Sequence, residues 1–309
     1  MAGTLLLLDT ASLYFRAFFG VPDSVRAPDG TPVNAVRGLL DMIATLVTER
    51  RPSRLVACWD DDWRPAFRVE ALARYKAHRL AGPDGAEEVP AALTAQVPVI
   101  VDVLAAVGIA RLGAPGFEAD DVIGTLTARE LTRPDGERAA VEIVTGDRDL
   151  FQLVDDSGPV RVLYTQRGLR DLDVVDEARL GERYGVATGA AYADMALLRG
   201  DPSDGLPGVP GIGEKTAAAL LRKYGSLDGV LAALRHVDPG ITTAQRRRLR
   251  EAADYLAAAP VVVRVARDAP VAQSDDRVPT APHDPDRLAE LGERWGLGGS
   301  LERLLAAIR

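Results

Sequence analysis

Four short apolar runs punctuate the first half of the chain, and each stops abruptly at polar residues. TLLLLDT begins at residue 4, SRLVACWD at 53, AAVEIVTGD at 139 and PVRVLYT at 159. Runs that are continuously apolar rather than alternating belong to strands buried on both faces. Between them, VNAVRGLLDMIATLVTER (33–50), TAQVPVIVDVLAAVG (94–108) and DDVIGTLTAREL (120–131) repeat apolar residues at helical spacing. This alternation predicts an α/β fold, a mostly parallel central sheet flanked by helices. Sites in such sheets form at the carboxyl ends of the strands. Three of the four runs meet an aspartate there, Asp9, Asp60 and Asp147.

Beyond residue 175 the texture changes to helical segments separated by Gly and Pro: AAYADMALLRG, GEKTAAALLRKYG, SLDGVLAAL and TTAQRRRLREAADYLAAA. We therefore expect an α/β unit over 1–175 and a helical region over 176–309, with APVVVRV (259–265) as an extended return. The stretch RLAGPDGAEEVP (79–90) has no apolar periodicity and reads as a loop or one end of a helical cap. With 309 residues, 47% of them hydrophobic, a sizeable core is available. The single cysteine, Cys58, excludes an internal disulfide. The apolar opening is too short for a signal segment or a membrane span, so a cytoplasmic location is expected.

The stretch PGFEADDVIGTL sets Glu118, Asp120 and Asp121 at the start of a helix whose core face is Val122, Ile123 and Leu126. Interaction with the helix dipole accounts for one or two acids in a first turn. Three so close repel one another unless a cation lies between them, and a divalent metal is the obvious one. On a regular helix Glu118 and Asp121 would stand about 60° apart while Asp120 pointed away, so the helix must begin within this stretch for the acids to share a metal. VTGDRD places Asp147 and Asp149 on one side of an extended chain after a strand, although an ordinary polar turn would also use them. In GDPSD, Asp201 and Asp204 are three apart, close on a turn.

GLPGVPGIGEKTA is the most specific signal. Gly208, Gly211 and Gly213, interleaved with Pro207 and Pro210, make a tight connection into a helix whose free backbone N–H groups can hold a phosphate. Lys215 and Thr216 add a charge and a hydroxyl in the first turn, whereas Glu214 does not fit a simple anion site. The spacing is not that of a Walker loop. A ligand-free helical hairpin is the alternative.

In order, LLLLDTASLYFRAFF, CWD, FRVEALARYKAHR, FEADDVIGTL, TGDRDLFQL and GDPSDGLPGVPGIGEKTA resemble the 5′ nuclease family, the 5′-to-3′ exonuclease domain of bacterial DNA polymerase I and the flap endonucleases. The resemblance covers roughly residues 4 to 265, and the length leaves no room for a polymerase, so a stand-alone member is expected. It implies a PIN-like sheet, a helical arch near residues 76–100 and a helix-hairpin-helix (helix-three-turn-helix) DNA-binding motif. It also implies two, or with a further site three, Mg²⁺ or Mn²⁺ ions. Asp9, Asp60, Glu118 and Asp120 would form one site, and Asp147, Asp149 and Asp204 the second, with Asp120 between them. Asp121 and Asp201 match the extra bacterial acids and would reach metal through water. Arg16, Lys76 and Arg79 match basic residues near the scissile phosphate, and Tyr75 a stacking aromatic. K⁺ would sit in the hairpin. Asp61 is an alternative to Asp60, because the following DDDWRPA is one residue longer than the family spacing.

A formal charge of −8 argues at first against nucleic acid, but setting aside the nine acids assigned to metal leaves the rest near neutral. Lys215, Arg222 and Lys223, with Arg246, Arg247, Arg248 and Arg250, are candidates for a duplex-binding stripe; an exposed helix face is the alternative for the arginine run. Arg68 and Arg74 are expected to contact phosphate or face water. The implied function is a structure-specific 5′ nuclease, exonuclease and flap endonuclease, acting as a monomer, with no membrane partner, on DNA with a 5′ flap, overhang or gap, or on an RNA–DNA hybrid. A metal ribonuclease of the PIN class and a non-catalytic DNA-binding protein are the rivals.

Overall fold

The computed structural model describes residues 3–80 and 87–309. Six strands, β1 (Thr4–Asp9), β2 (Arg54–Cys58), β3 (Ala110–Leu112), β4 (Ala140–Thr145), β5 (Val160–Tyr164) and β6 (Asp173–Val175), form one sheet in the order β3-β2-β1-β4-β5-β6. The first five are parallel and β6 runs antiparallel to β5. The order reverses between β1 and β4, so a crevice opens where their carboxyl ends diverge. The four predicted strands are all present. The chain also forms β3 and β6, each of three residues, too short to show a periodicity.

Helices α1 (Thr10–Gly20), α2 (Asn34–Arg50), α3 (Ala66–Ala71), α4 (Ala91–Thr94), α5 (Val97–Val107) and α6 (Ala119–Leu131) connect the strands. Then follow α7 (Glu177–Tyr184), α8 (Gly189–Arg199), α9 (Glu214–Tyr224), α10 (Leu227–Arg235), α11 (Thr243–Glu251), α12 (Ala253–Val263), α13 (Pro285–Arg294) and α14 (Gly298–Ala307). Alternate strand residues feed two cores. Leu5, Leu7, Val56, Val141 and Ile143 pack with α6 and the helices from α8 to α12. Leu6, Leu8, Leu55, Ala57 and Leu163 face α2 and α5, and α13 and α14 return to close that side through Leu288, Leu291, Leu301 and Leu304.

The expected extended return over 259–265 is corrected: its first five residues end α12. Leu256, Ala259, Val262 and Val263 are buried along this helix, and that burial outweighs the hydrogen bond lost at Pro260. The chain becomes extended only at Arg264, with φ −81° and ψ 125°. Of the patternless 79–90 stretch, residues 81–86 lie outside the described residues; on either side, Leu80 and Glu87 form an antiparallel bridge. Among the described residues no helix is long and apolar enough to cross a membrane.

Candidate active site

The ends of β1 and β4 are tied together by the residues that flank the crevice. Asp9 accepts from Ser12 N at 3.2 Å, capping α1, and from the Thr145 hydroxyl at 2.6 Å. The same hydroxyl accepts from Asp147 N at 2.8 Å, and Asp147 Oδ1 accepts from Asp149 N at 2.9 Å. Gly146 N donates to Ser12 Oγ at 2.9 Å, and a Cβ on Gly146 would lie 2.8 Å from that oxygen, so a larger residue there would displace the hydroxyl. Beyond β2, Asp60 Oδ1 accepts from Ala119 N at 2.8 Å, which ties the second strand end to the start of α6.

These elements bring Asp9, Asp60, Glu118, Asp120 and Asp147 into one open cleft of about 540 Å³, together with Lys76 and Arg79. Asp61 lines the same cleft but lies against Gly113. Burial pushes Asp9 up to about 7, with Asp60 and Asp147 adding to the rise. Burial likewise raises Asp60 to about 6, and raises Asp120, with Asp9 and Asp147 next in effect. Asp149 and Asp204 stand to one side of this cleft but in the same field. Burial lifts Asp149, with repulsion from Asp147, Asp204 and Asp201; Asp204 is pushed up to about 6, chiefly by burial, with Asp147 among the charges raising it.

Helix α6 does begin inside the acidic stretch. Glu118 is its extended N-cap residue, with φ −85° and ψ 164°, which separates it in direction from Asp120 and Asp121 in the first turn. Asp121 points away from the cleft and is fully buried. Its carboxylate accepts from Arg68 Nη1 and Nη2, both at 2.7 Å, from Ala266 N at 2.7 Å and from Glu118 N at 3.2 Å.

Arg68 is therefore a correction: it is 2% exposed and neither faces water nor reaches a phosphate. Its Nη1 also donates to Glu118 Oε2 at 2.7 Å, and its Nε donates to the Val262 carbonyl at 3.1 Å. Tyr75 is also buried, with its hydroxyl donating to Glu118 Oε2 at 2.7 Å, so its ring is not presented for stacking in this arrangement. The other Glu118 oxygen is paired with Lys76. Lys76 has φ +48°, an uncommon conformation for a side-chain-bearing residue, and its backbone N donates to the Asp204 carbonyl at 3.1 Å. Arg79 reaches Asp204 Oδ1 at 3.1 Å and the Ser203 carbonyl at 2.9 Å. The segment from Tyr75 to Arg79 thus spans from Glu118 to Asp204. Arg16 stands beside Gly146, with Ser12 and Phe15.

Asp201 shapes the turn that carries Asp204: its Oδ1 accepts from Ser203 N at 2.8 Å. The hairpin follows. Gly208 and Gly211 have φ +65° and +76°, a region that favours glycine. Gly213 is the N-cap residue of α9, and Lys215 is exposed in its first turn, with Thr216 half-buried beside it. Arg222 and Lys223 lie two turns on, and Lys223 is 3.7 Å from Asp238. Of the arginine run, Arg248 reaches the hairpin, donating to the Gly211 carbonyl at 3.0 Å, whereas Arg246 is bound to the Asp238 and Ile241 carbonyls. Arg247 and Arg250 are exposed. The sequence reading missed the part taken by Arg68, for which the only local signal was its place beside Phe67 in FRVEALARYK.

Comparison with known proteins agrees with this architecture. Residues 4–185 match the family model of the 5′-3′ exonuclease N-terminal resolvase-like domain, and residues 187–286 that of the 5′-3′ exonuclease C-terminal SAM fold. A 5′-3′ exonuclease of Streptomyces coelicolor is 62% identical over 308 residues, covering 98% of this chain and 99% of that protein. A 5′-3′ exonuclease of Mycobacterium tuberculosis is 53% identical over 319 residues, covering 100% and 98%. DNA polymerase I of Mycobacterium leprae is 38% identical over 305 residues, covering 98% of this chain and 31% of the polymerase. In fold, the chain resembles the T5 D15 protein crystallised with metal ions, with a TM-score of 0.65 at 16% identity over 99% of this chain and 100% of that one. The chain belongs to the 5′-3′ exonuclease and flap-endonuclease family, as a relative of the exonuclease domain of DNA polymerase I.

Proposed function

We propose that the chain is a structure-specific, divalent-metal-dependent 5′ nuclease that hydrolyses phosphodiester bonds at 5′ flaps, overhangs and RNA primers ahead of a gap. The observation that carries this reading is the convergence of Asp9, Asp60, Glu118, Asp120 and Asp147 on one sheet edge, facing Lys76 and Arg79. The donors suit Mg²⁺ or Mn²⁺, because every candidate ligand is a carboxylate oxygen and the cleft lining contains neither His nor Cys. Among the described residues no three such side chains stand close enough together to hold an ion as they are placed, and Lys76 lies on Glu118 instead. In this proposal Asp9, Asp60, Glu118 and Asp120 would hold one ion, and Asp147, Asp149 and Asp204 a second. When bound, the ions supply Lewis-acid polarisation of the phosphate and offset charge on the attacking and leaving oxygens.

The chain's own residues do the rest. Lys76 and Arg79, which line the cleft, would meet the scissile phosphate, with Arg16 at the crevice beside Gly146. Glu118 is kept in one orientation by Arg68 and Tyr75. The hairpin at 208–216 seats a duplex phosphate through its backbone N–H groups and Lys215, at a distance from the chemistry. K⁺ in this loop, a PIN-like classification of the sheet, action on RNA–DNA hybrids, a monomeric state and a cytoplasmic location belong to the same proposal. So does the role of Asp121, which supports Arg68 rather than a metal-bound water, given the partners that surround it.

A 5′-flap duplex, a single-stranded RNA and a blunt duplex, each incubated with Mg²⁺, Mn²⁺ or chelator, test the reading. Metal-dependent cleavage near the flap junction is expected. Preference for single-stranded RNA would favour a ribonuclease, and binding without cleavage would remove the catalytic assignment.

A further inference from the structure

Glu214 opens α9 at the place where a helix N-terminus meets a phosphate, and a free carboxylate there would repel the ligand. The structure supplies its neutralisation from another helix. Arg199, the last residue of α8, donates from Nη1 to Glu214 Oε2 at 3.0 Å. The arginine side chain is 15% exposed and the glutamate 42%, so the cation is held more firmly than the acid it meets. Arg199 Nη2 is 4.0 Å from Asp201 Oδ2, and its Nε donates to the Gly200 carbonyl at 3.2 Å.

The backbone around this arginine is equally constrained. A Cβ on Gly208 would lie 2.4 Å from the Arg199 carbonyl oxygen, and one on Gly200 would lie 2.5 Å from Gly208 N. The end of α8 and the entry to the hairpin are therefore packed backbone to backbone. One guanidinium links the hairpin's only first-turn acid to the turn that carries Asp204.

We propose that Arg199 is a positioning residue that makes the hairpin competent for phosphate by neutralising Glu214, and that it joins this seat to the Asp204 turn through Asp201. The proposal rests on the reading of 208–216 as a duplex seat. Its distinctive consequence is that loss of Arg199 harms duplex binding through Glu214, not through a lost contact with DNA.

The test is duplex affinity by fluorescence anisotropy in chelator, where no cleavage intervenes, for wild type, R199Q, R199K, R199Q/E214Q, E214Q and K215A. R199Q should bind about fivefold more weakly, the scale of one partly exposed charge pair. R199K should recover most of the loss, and R199Q should have little effect in the E214Q background. An R199Q defect of equal size in both backgrounds would mean that Arg199 touches phosphate itself, and the proposal would fall. It would fall equally if R199Q bound normally while K215A bound weakly. Normal binding by K215A as well would remove the duplex seat, a failure of the underlying reading distinguishable from failure of the Arg199 step alone. A melting temperature for R199Q equal to that of wild type separates the proposed effect from misfolding.

Discussion

The two ends of the acid cluster differ in whether the chain neutralises them. At the Glu118 end the chain supplies its own cations: Arg68 and Lys76 both meet Glu118, and Arg68 also meets Asp121 deep in the core. Around Asp9, Asp120, Asp147 and Asp149, no ion pair within 4.0 Å forms among the described residues, and burial raises Asp9, Asp120 and Asp149. The difference separates acids whose charge the fold itself meets from acids it buries without a cation among the described residues. Glu118 stands at the border, with one oxygen committed to Arg68 and Tyr75 and the other meeting a lysine at the cleft.

The largest expected effect comes from breaking the self-sufficient end. Arg68→Met leaves Asp121 charged and buried without its partner, a loss of about 3–5 kcal/mol of stability. Urea unfolding followed by circular dichroism measures it, and Arg68→Met/Asp121→Asn should regain part of the loss. A variant as stable as wild type would show that this end is not held by its own ion pairs.

Breaking the open end should cost activity instead. Asp147→Asn is expected to lower single-turnover flap cleavage about a hundredfold or more at saturating Mg²⁺, the usual scale for losing an electrostatic group at a reacting centre. Its melting temperature should not fall, because one member of a repelling set has been removed. Near-normal cleavage would take Asp147 out of the site.

A smaller effect sharpens the contrast without mutation. Asp9, Asp60 and Asp204 are raised from 3.8 to about 7, 6 and 6. Between the ordinary and raised values the native state binds more protons than the unfolded state, so the contribution of these groups to stability falls as pH rises from about 4 to 7. In chelator, the melting temperature should drop by roughly 5 °C between pH 5 and pH 8. Mg²⁺ should raise it more at pH 8 than at pH 5. Scanning calorimetry that found the metal-free protein more stable at pH 8 would contradict an unneutralised cluster.

Much of the framework was legible because its signals are local. Continuous apolar runs marked β1, β2, β4 and β5, and the aspartates at or just beyond three of them foretold the crevice edge. The start of α6 within FEADD followed from the directions its acids would otherwise take. Strands β3 and β6 were missed because three residues carry no period, and residues 259–263 were misread because a β-branched run with a proline favours extended chain until helix α12 finds a core to bury it.

The sequence by itself determined which segments become strands and helices, that the acids stand at their ends, and that the hairpin turns through glycine at positive φ. These follow from side-chain period and backbone sterics within a few residues. Tertiary structure alone decided which charges meet. Arg68 is 53 residues from Asp121 and 194 from Val262, and only the packing of α3 against α12, with the guanidinium reaching the start of α6, turns it from an apparent DNA contact into a buried support for Glu118. Arg199 and Glu214 are likewise 15 residues apart and meet because glycines at 200 and 208 let two backbone turns touch. A charged side chain looks the same in sequence whether it faces water or a buried carboxylate, since its partner is chosen by the burial of the apolar faces around it.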